Sequence, residues 1–102
     1  MPTYVLVTKL APEVMKDLKR REELGRQWLE RVKENCPGVK FIAHYALLGH
    51  YDFLDIFEAR DEEEATKVSL ISLAHGALQA ETWTAIPYRR FLEIVQGLKG
   101  TE

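Results

Sequence analysis

The chain has 102 residues, enough for one domain that buries roughly two thirds of its unfolded surface. Hydrophobic residues make up 46% and charged residues 29%, the composition of an ordinary globular protein and not of a disordered one. Its 14 Lys and Arg against 16 Asp and Glu give a net charge of -2, which offers no electrostatic footprint for DNA or RNA.

Residues 1–9 carry neither the basic region nor the apolar length of a signal peptide. No window approaches the ~18 apolar residues of a membrane span, so the expected location is the cytoplasm, with no membrane partner. Residues 3–9 read as a first strand, rich in Thr, Tyr and Val. Tyr4, Leu6 and Thr8 point one way, and Val5, Val7 and Lys9 the other. Ala11-Pro12-Glu13 then opens a helix expected to run to about residue 34. On a helical wheel Val14, Met15, Leu18, Leu24, Trp28, Leu29 and Val32 share about half the circumference. Arg21 and Gly25 land in the same stripe. Gly25 would let the helix approach the sheet closely. Arg21 either snorkels out or marks an irregular turn that splits the helix around residues 19–23.

Asn35-Cys36-Pro37-Gly38 breaks the helix. Cys36 is the lone cysteine; it excludes an intrachain disulfide and reads as an incidental loop thiol. Residues 39–48 form a long second strand, with Phe41, Ala43, Tyr45 and Leu47 on one side and Ile42, His44, Ala46 and Leu48 on the other. Gly49-His50 makes a tight turn into a third strand over residues 52–59, where Phe53, Asp55 and Phe57 oppose Leu54, Ile56 and Glu58. Asp61 is an N-cap, and Glu64 completes a capping-box-like pair at the start of a second helix. That helix ends near His75-Gly76, and its apolar second half predicts burial on more than one side. Residues 78–86 form the fourth strand, and residues 88–98 a short C-terminal helix.

Strand, helix, strand, strand, helix, strand is the split βαβ order of an α+β, ferredoxin-like domain: a four-stranded antiparallel sheet with its helices on one face. The whole chain, residues 1–102, reads as one such domain. The second strand is apolar on both faces and the third nearly so. Either the C-terminal helix covers the free face, or two sheets stack in a homodimer; both can hold together.

Pro2-Thr3-Tyr4-Val5 and the hairpin Leu48-Gly49-His50-Tyr51-Asp52, followed by Phe53-Leu54-Asp55-Ile56-Phe57-Glu58-Ala59 and an acidic helix start, resemble the GYD domain family. So does a leucine-rich second helix that leads into a last strand. The literal Gly-Tyr-Asp triplet is absent: His50 stands between Gly49 and Tyr51. The resemblance implies a ferredoxin-like, dimeric α/β barrel and carries no catalytic residue with it.

Candidate ligand-binding residues are Tyr51, Asp52, Asp55, His44 and Trp83. Tyr51 and Asp52 sit where a turn enters a strand, a place that caps backbone groups or lines a barrel mouth. Asp55 interrupts an apolar strand and must be paired, protonated or solvated there; in a pocket it is a general base, otherwise an intersubunit hydrogen bond or a rim position. His44 is a satisfied strand histidine or a ligand contact. Trp83 would complete an aromatic floor with Phe53 or Tyr4, or else belong to a dimer core. No histidine spacing fits zinc, and no cofactor or metal is implied. The reading is a homo-oligomeric small-molecule-binding or regulatory module. The alternatives are a small cofactor-free monooxygenase or isomerase of the dimeric α/β-barrel group, and a purely structural association domain.

Overall fold

The computed structural model describes residues 1–100. Alternation in β1 (Thr3–Leu10) sets up the whole domain. Tyr4, Leu6 and Thr8 turn to one face and are 6%, 0% and 7% exposed. That face is the one the helices cover, since Tyr4 and Leu6 share a core with Val32 and Val68. β1 pairs antiparallel with β3 (Phe53–Glu58) on one side and β4 (Ala77–Ala85) on the other, and β2 (Lys40–Ala46) adds to β3, giving the order β2-β3-β1-β4. The fold is α+β and ferredoxin-like, as the element order predicts.

The first helical segment is split. α1 (Pro12–Lys16) and α2 (Arg21–Asn35) are separated at residues 17–20, where Asp17 and Arg20 close a turn. Of the two readings of Arg21, the irregular turn is the one that holds, at residues that overlap the expected 19–23 and begin two earlier. Arg21 Nη2 donates to the carbonyl of Met15 at 3.2 Å and pins the two helices across the break.

α3 (Glu62–Ala74) is capped by Asp61, whose carboxylate accepts from Glu64 N. Glu64 reaches one residue further back than a capping box does, accepting from Arg60 N at 2.9 Å and from its guanidinium. Gly76 ends the helix region at φ +107, a conformation only glycine adopts freely. Its carbonyl accepts from Ala11 N and ties this corner to α1. The expected burial of α3 on several sides is not what forms. Val68 is 0% exposed, but Leu70 is 58% and Leu73 44% exposed, because α2 flanks only one side of α3 and nothing covers its outer face within one chain.

Three further expectations are corrected. β2 does not keep strict alternation: its register with β3 shifts between Phe41 and Ala43, so Phe41 pairs with Phe57 and His44 with Asp55. The extra residue, Ile42, puts Phe41 and His44 on the same helix-side face, with Ala43 and Tyr45 opposite. The hairpin is not a tight glycine turn. Strand structure stops at Ala46 and resumes at Phe53, and Gly49 does not adopt a positive φ. The C-terminal helix α4 (Tyr88–Gln96) does not cover the free sheet face. It buries no residue and stands off the domain, which measures 56 Å along its longest axis.

The free face is therefore bare. Ile56, Val5 and Trp83 project from it in register, and Tyr45, opposite Leu54, projects from the same face; Tyr45 is 57% and Trp83 48% exposed. Val7 is an exception at 2%, shielded in the middle of the sheet between Leu54 and Glu81. On the opposite face Phe57 is 0% exposed and lies between Tyr4 and Phe41, ring centroids 5.7 and 5.9 Å away. A side chain of this kind contributes about 1.5–3 kcal/mol by leaving water.

Candidate functional site

α2 meets the sheet through Val32 and Trp28, the latter 5.4 Å from Phe41 between ring centroids, and does not close on it elsewhere. Between them is a cleft of about 1010 Å³, walled by Leu10, Leu24, Trp28, Leu29, Phe41 and Phe53. Gly25 lines it with room to spare: a Cβ there would meet nothing within 4 Å. The glycine expected to draw helix and sheet together instead leaves a gap. Trp28 stays in place because its indole Nε1 donates to Ser72 Oγ at 2.9 Å, and that hydroxyl donates to the Val68 carbonyl.

The polar centre of the cleft is His44 with Asp55. They are cross-strand partners, and His44 Nδ1 hydrogen-bonds Asp55 Oδ1. Asp55 is 3% exposed, while the His44 side chain is 58% exposed at the cleft mouth. The Phe53 ring stacks on the imidazole, centroids 5.5 Å apart and planes at 14°. Burial pushes the Asp55 carboxyl above the usual carboxylate range, and the adjacent His44 pulls it partly back. Either the ring donates Nδ1–H to the carboxylate or a protonated carboxyl donates to Nδ1. Both leave Nε2 unengaged, so the pair can hold or move a proton at that nitrogen.

Of the five residues singled out from the sequence, the cleft contains two. Asp52 instead fastens the hairpin loop to the end of β1: its carboxylate accepts from Leu10 N and its own N–H donates to the Thr8 carbonyl, both at 2.8 Å. Tyr51 packs edge-on against His50, centroids 4.7 Å apart. Trp83 sits opposite Val5 on the bare face, away from Phe53 and Tyr4, so the two aromatic sets never form one floor. The residues that sequence reasoning missed are Trp28, Phe53, Gly25 and Arg21 as cleft walls. For Arg21 and Gly25 the signal was a polar and a glycine position inside an apolar helical stripe; Trp28 and Phe53 carried none beyond being apolar.

Arg21 matters for its charge. Its Nε is buried without a hydrogen-bond partner, one of two such side-chain atoms among the described residues, with Thr82 Oγ1. Cys36 is no loop thiol: it caps α2 at 1% exposure, its Sγ 3.8 Å from the Glu64 carbonyl, and burial pushes the thiol up, away from the reactive thiolate. Among the described residues no three His, Cys, Asp or Glu side chains converge as metal ligands, and no helix is long and apolar enough to cross a membrane.

A family model described as GYD domain matches residues 4–95. The chain belongs to the GYD domain family. The match spans both the Gly-x-Tyr-Asp hairpin and the His44–Asp55 pair behind it. A GYD-type relative from Thermus thermophilus, named glutamine synthetase and cystathionine beta-lyase binding protein, is 29% identical over 87 residues, 85% of this chain and 90% of the relative. Among solved structures, TTHA0845, also from Thermus thermophilus, superposes with a TM-score of 0.57 at 22% identity, covering 85% of this chain and 95% of that one. FFRP-DM1 gives 0.56 at 19% identity, covering 84% and 100%. MtbAldR gives 0.59 at 16% identity over 84% of this chain, which spans only 53% of that longer one. These structural likenesses carry the ferredoxin-like, α/β-barrel type of fold for this GYD domain and nothing about chemistry.

Proposed function

We propose that this protein is a cytoplasmic, homodimeric module that binds a small, largely apolar molecule between α2 and the sheet. The cleft carries the reading: about 1010 Å³ of apolar wall with a few convergent polar groups is the usual form of a ligand site. The bare sheet face supports the second copy. Tyr45 on β2 and Trp83 on β4 are exposed there on either side of Ile56 and Val5, and the Tyr88, Phe91, Leu92 and Val95 stripe of α4 follows β4 in sequence without cover. Enzymes are further candidate partners, given the name of the 29%-identical relative, and the same uncovered surfaces would serve them. The free Cys36 thiol fits a reducing compartment.

Catalysis is the second reading, and only His44 with Asp55 favours it. A buried carboxyl that fixes one imidazole nitrogen leaves the other as a general base.

The test is occlusion. Gly25→Leu should fill the cleft from the helix side, where there is room for it. Nile red, a neutral polarity-sensitive dye, should bind the natural protein saturably and lose that binding in Gly25→Leu. Absence of saturable binding to the natural protein, or binding that survives occlusion, sinks the cleft reading.

A further inference from the structure

Arg21 holds a charge that the fold does not answer. It begins α2 directly after the break at residues 17–20, is half-buried, and is one of the residues that line the cleft. Nη2 is spent on the Met15 carbonyl at 3.2 Å, which fixes the plane of the guanidinium. Nε–H is buried and bonded to nothing, and among the described residues no carboxylate forms an ion pair with Arg21. A guanidinium stays charged at any ordinary pH, so it cannot escape the mismatch by losing a proton. A buried donor on a charged group without an acceptor is costly, and something that supplies the acceptor would relieve that cost.

The surroundings say what that something is. Leu24, Trp28 and Leu29 follow Arg21 along the same helix into an apolar cleft, so the ligand carries a hydrocarbon or aromatic body. The charged side chains around the cleft are Arg21, Arg26 and Lys33 against Glu22 and Asp55, and Asp55 is already engaged by His44. The balance favours an anion of low charge. One guanidinium with part of its donor set spent matches the single charge of a carboxylate, whereas a phosphoryl group needs more donors and more cations.

We propose that Arg21 is the receptor for the carboxylate of an apolar organic acid held in this cleft. The inference rests on the cleft reading above and adds the ligand's chemical class. The guanidinium N–H groups not spent on Met15 donate to the carboxylate, with a small shift of the side chain opening the buried Nε–H to it; the hydrocarbon body lies along Trp28, and His44 marks the far polar contact.

Octanoate and octan-1-ol separate the two claims, since they share a chain and differ in the head group. Trp28 reports entry by its fluorescence, read in a Trp83→Phe background so that the indole on the bare face is silent. Octanoate should bind at least about tenfold more tightly than octan-1-ol. Arg21→Gln should bring that ratio to about one, and Arg21→Lys, which keeps charge but lacks the guanidinium fork, should fall between. Equal affinities in the natural protein overturn the receptor and leave the cleft standing. Failure of both molecules to bind overturns both. The octanoate to octan-1-ol comparison needs no change at Arg21, so a poorly folded Arg21→Gln does not blunt it.

Discussion

His44 and Asp55 meet across the β2–β3 ladder with the imidazole half in water and the carboxyl sealed beneath the helices. This asymmetry fixes the direction of the pH response. Burial raises the folded-state carboxyl above its unfolded value of about 4. Between those two values the folded chain holds the extra proton, so its stability falls as pH rises through the window and is greatest, for this group, below it.

Asp55→Asn should remove that slope. Urea unfolding at a series of pH values checks it: the natural protein loses stability relative to Asp55→Asn as pH climbs above the ordinary carboxylate value. Parallel curves would mean that Asp55 is not held in the state described.

Glu64 should behave in the opposite sense. Its carboxylate, bonded to Arg60 N and guanidinium, is held below the ordinary range, the Arg60 side chain being the largest cause. Such a group contributes stability above its unfolded pKa and loses it as pH falls through the folded one. Glu64→Gln should therefore cost about 1 kcal/mol at neutral pH, with the difference closing in acid. A cost that persists unchanged at low pH would point to packing instead of charge.

Two glycines should respond with opposite signs. Gly25→Ala adds a methyl into open space within α2 and should stabilise by about 0.5–1 kcal/mol. Gly76→Ala forces a side chain into φ +107, with its Cβ 3.1 Å from Val14 Cγ2, and should destabilise by about 1–2 kcal/mol. Thermal unfolding of both resolves the pair, and a Gly76→Ala variant as stable as the natural protein would contradict the corner geometry.

The association reading predicts a dimer by sedimentation velocity at micromolar concentration. Trp83→Glu, on the bare face, should shift it to monomer without unfolding, because the side chain is 48% exposed in the single subunit. Phe91→Ser tests the separate contribution of α4, where Phe91 is also 48% exposed. A natural protein that runs as a monomer removes the need for either.

Much of this architecture could be read in the chain. Tyr4, Leu6 and Thr8 declared the core face by strict alternation, and Asp61 and Gly76 marked both ends of α3 by chemistry that works over a few residues. What escaped depends on register and on distance. Asp55 and Trp83 fall on opposite faces only once β1 pairs with both their strands, which no single-strand pattern reveals. Phe41 was misplaced because a bulge breaks the period from within. Gly25 and Arg21 were visible as irregularities, but whether a gap in a helix face is filled or left empty is decided by how closely α2 settles on the sheet.

The extra residue at Ile42 separates β2 into two halves with independent phases. Upstream, Phe41 anchors the hydrophobic interior; downstream, the hairpin end sets which side chain Asp55 meets. An insertion or deletion at Ile42 is then a quiet edit, absorbed by the irregularity already there. Removing Tyr45 is not: with the hairpin end held, the imidazole would swing to the outer surface and a methyl group from Ala43 would take its seat, erasing the proton-handling pair while every element of the fold survived.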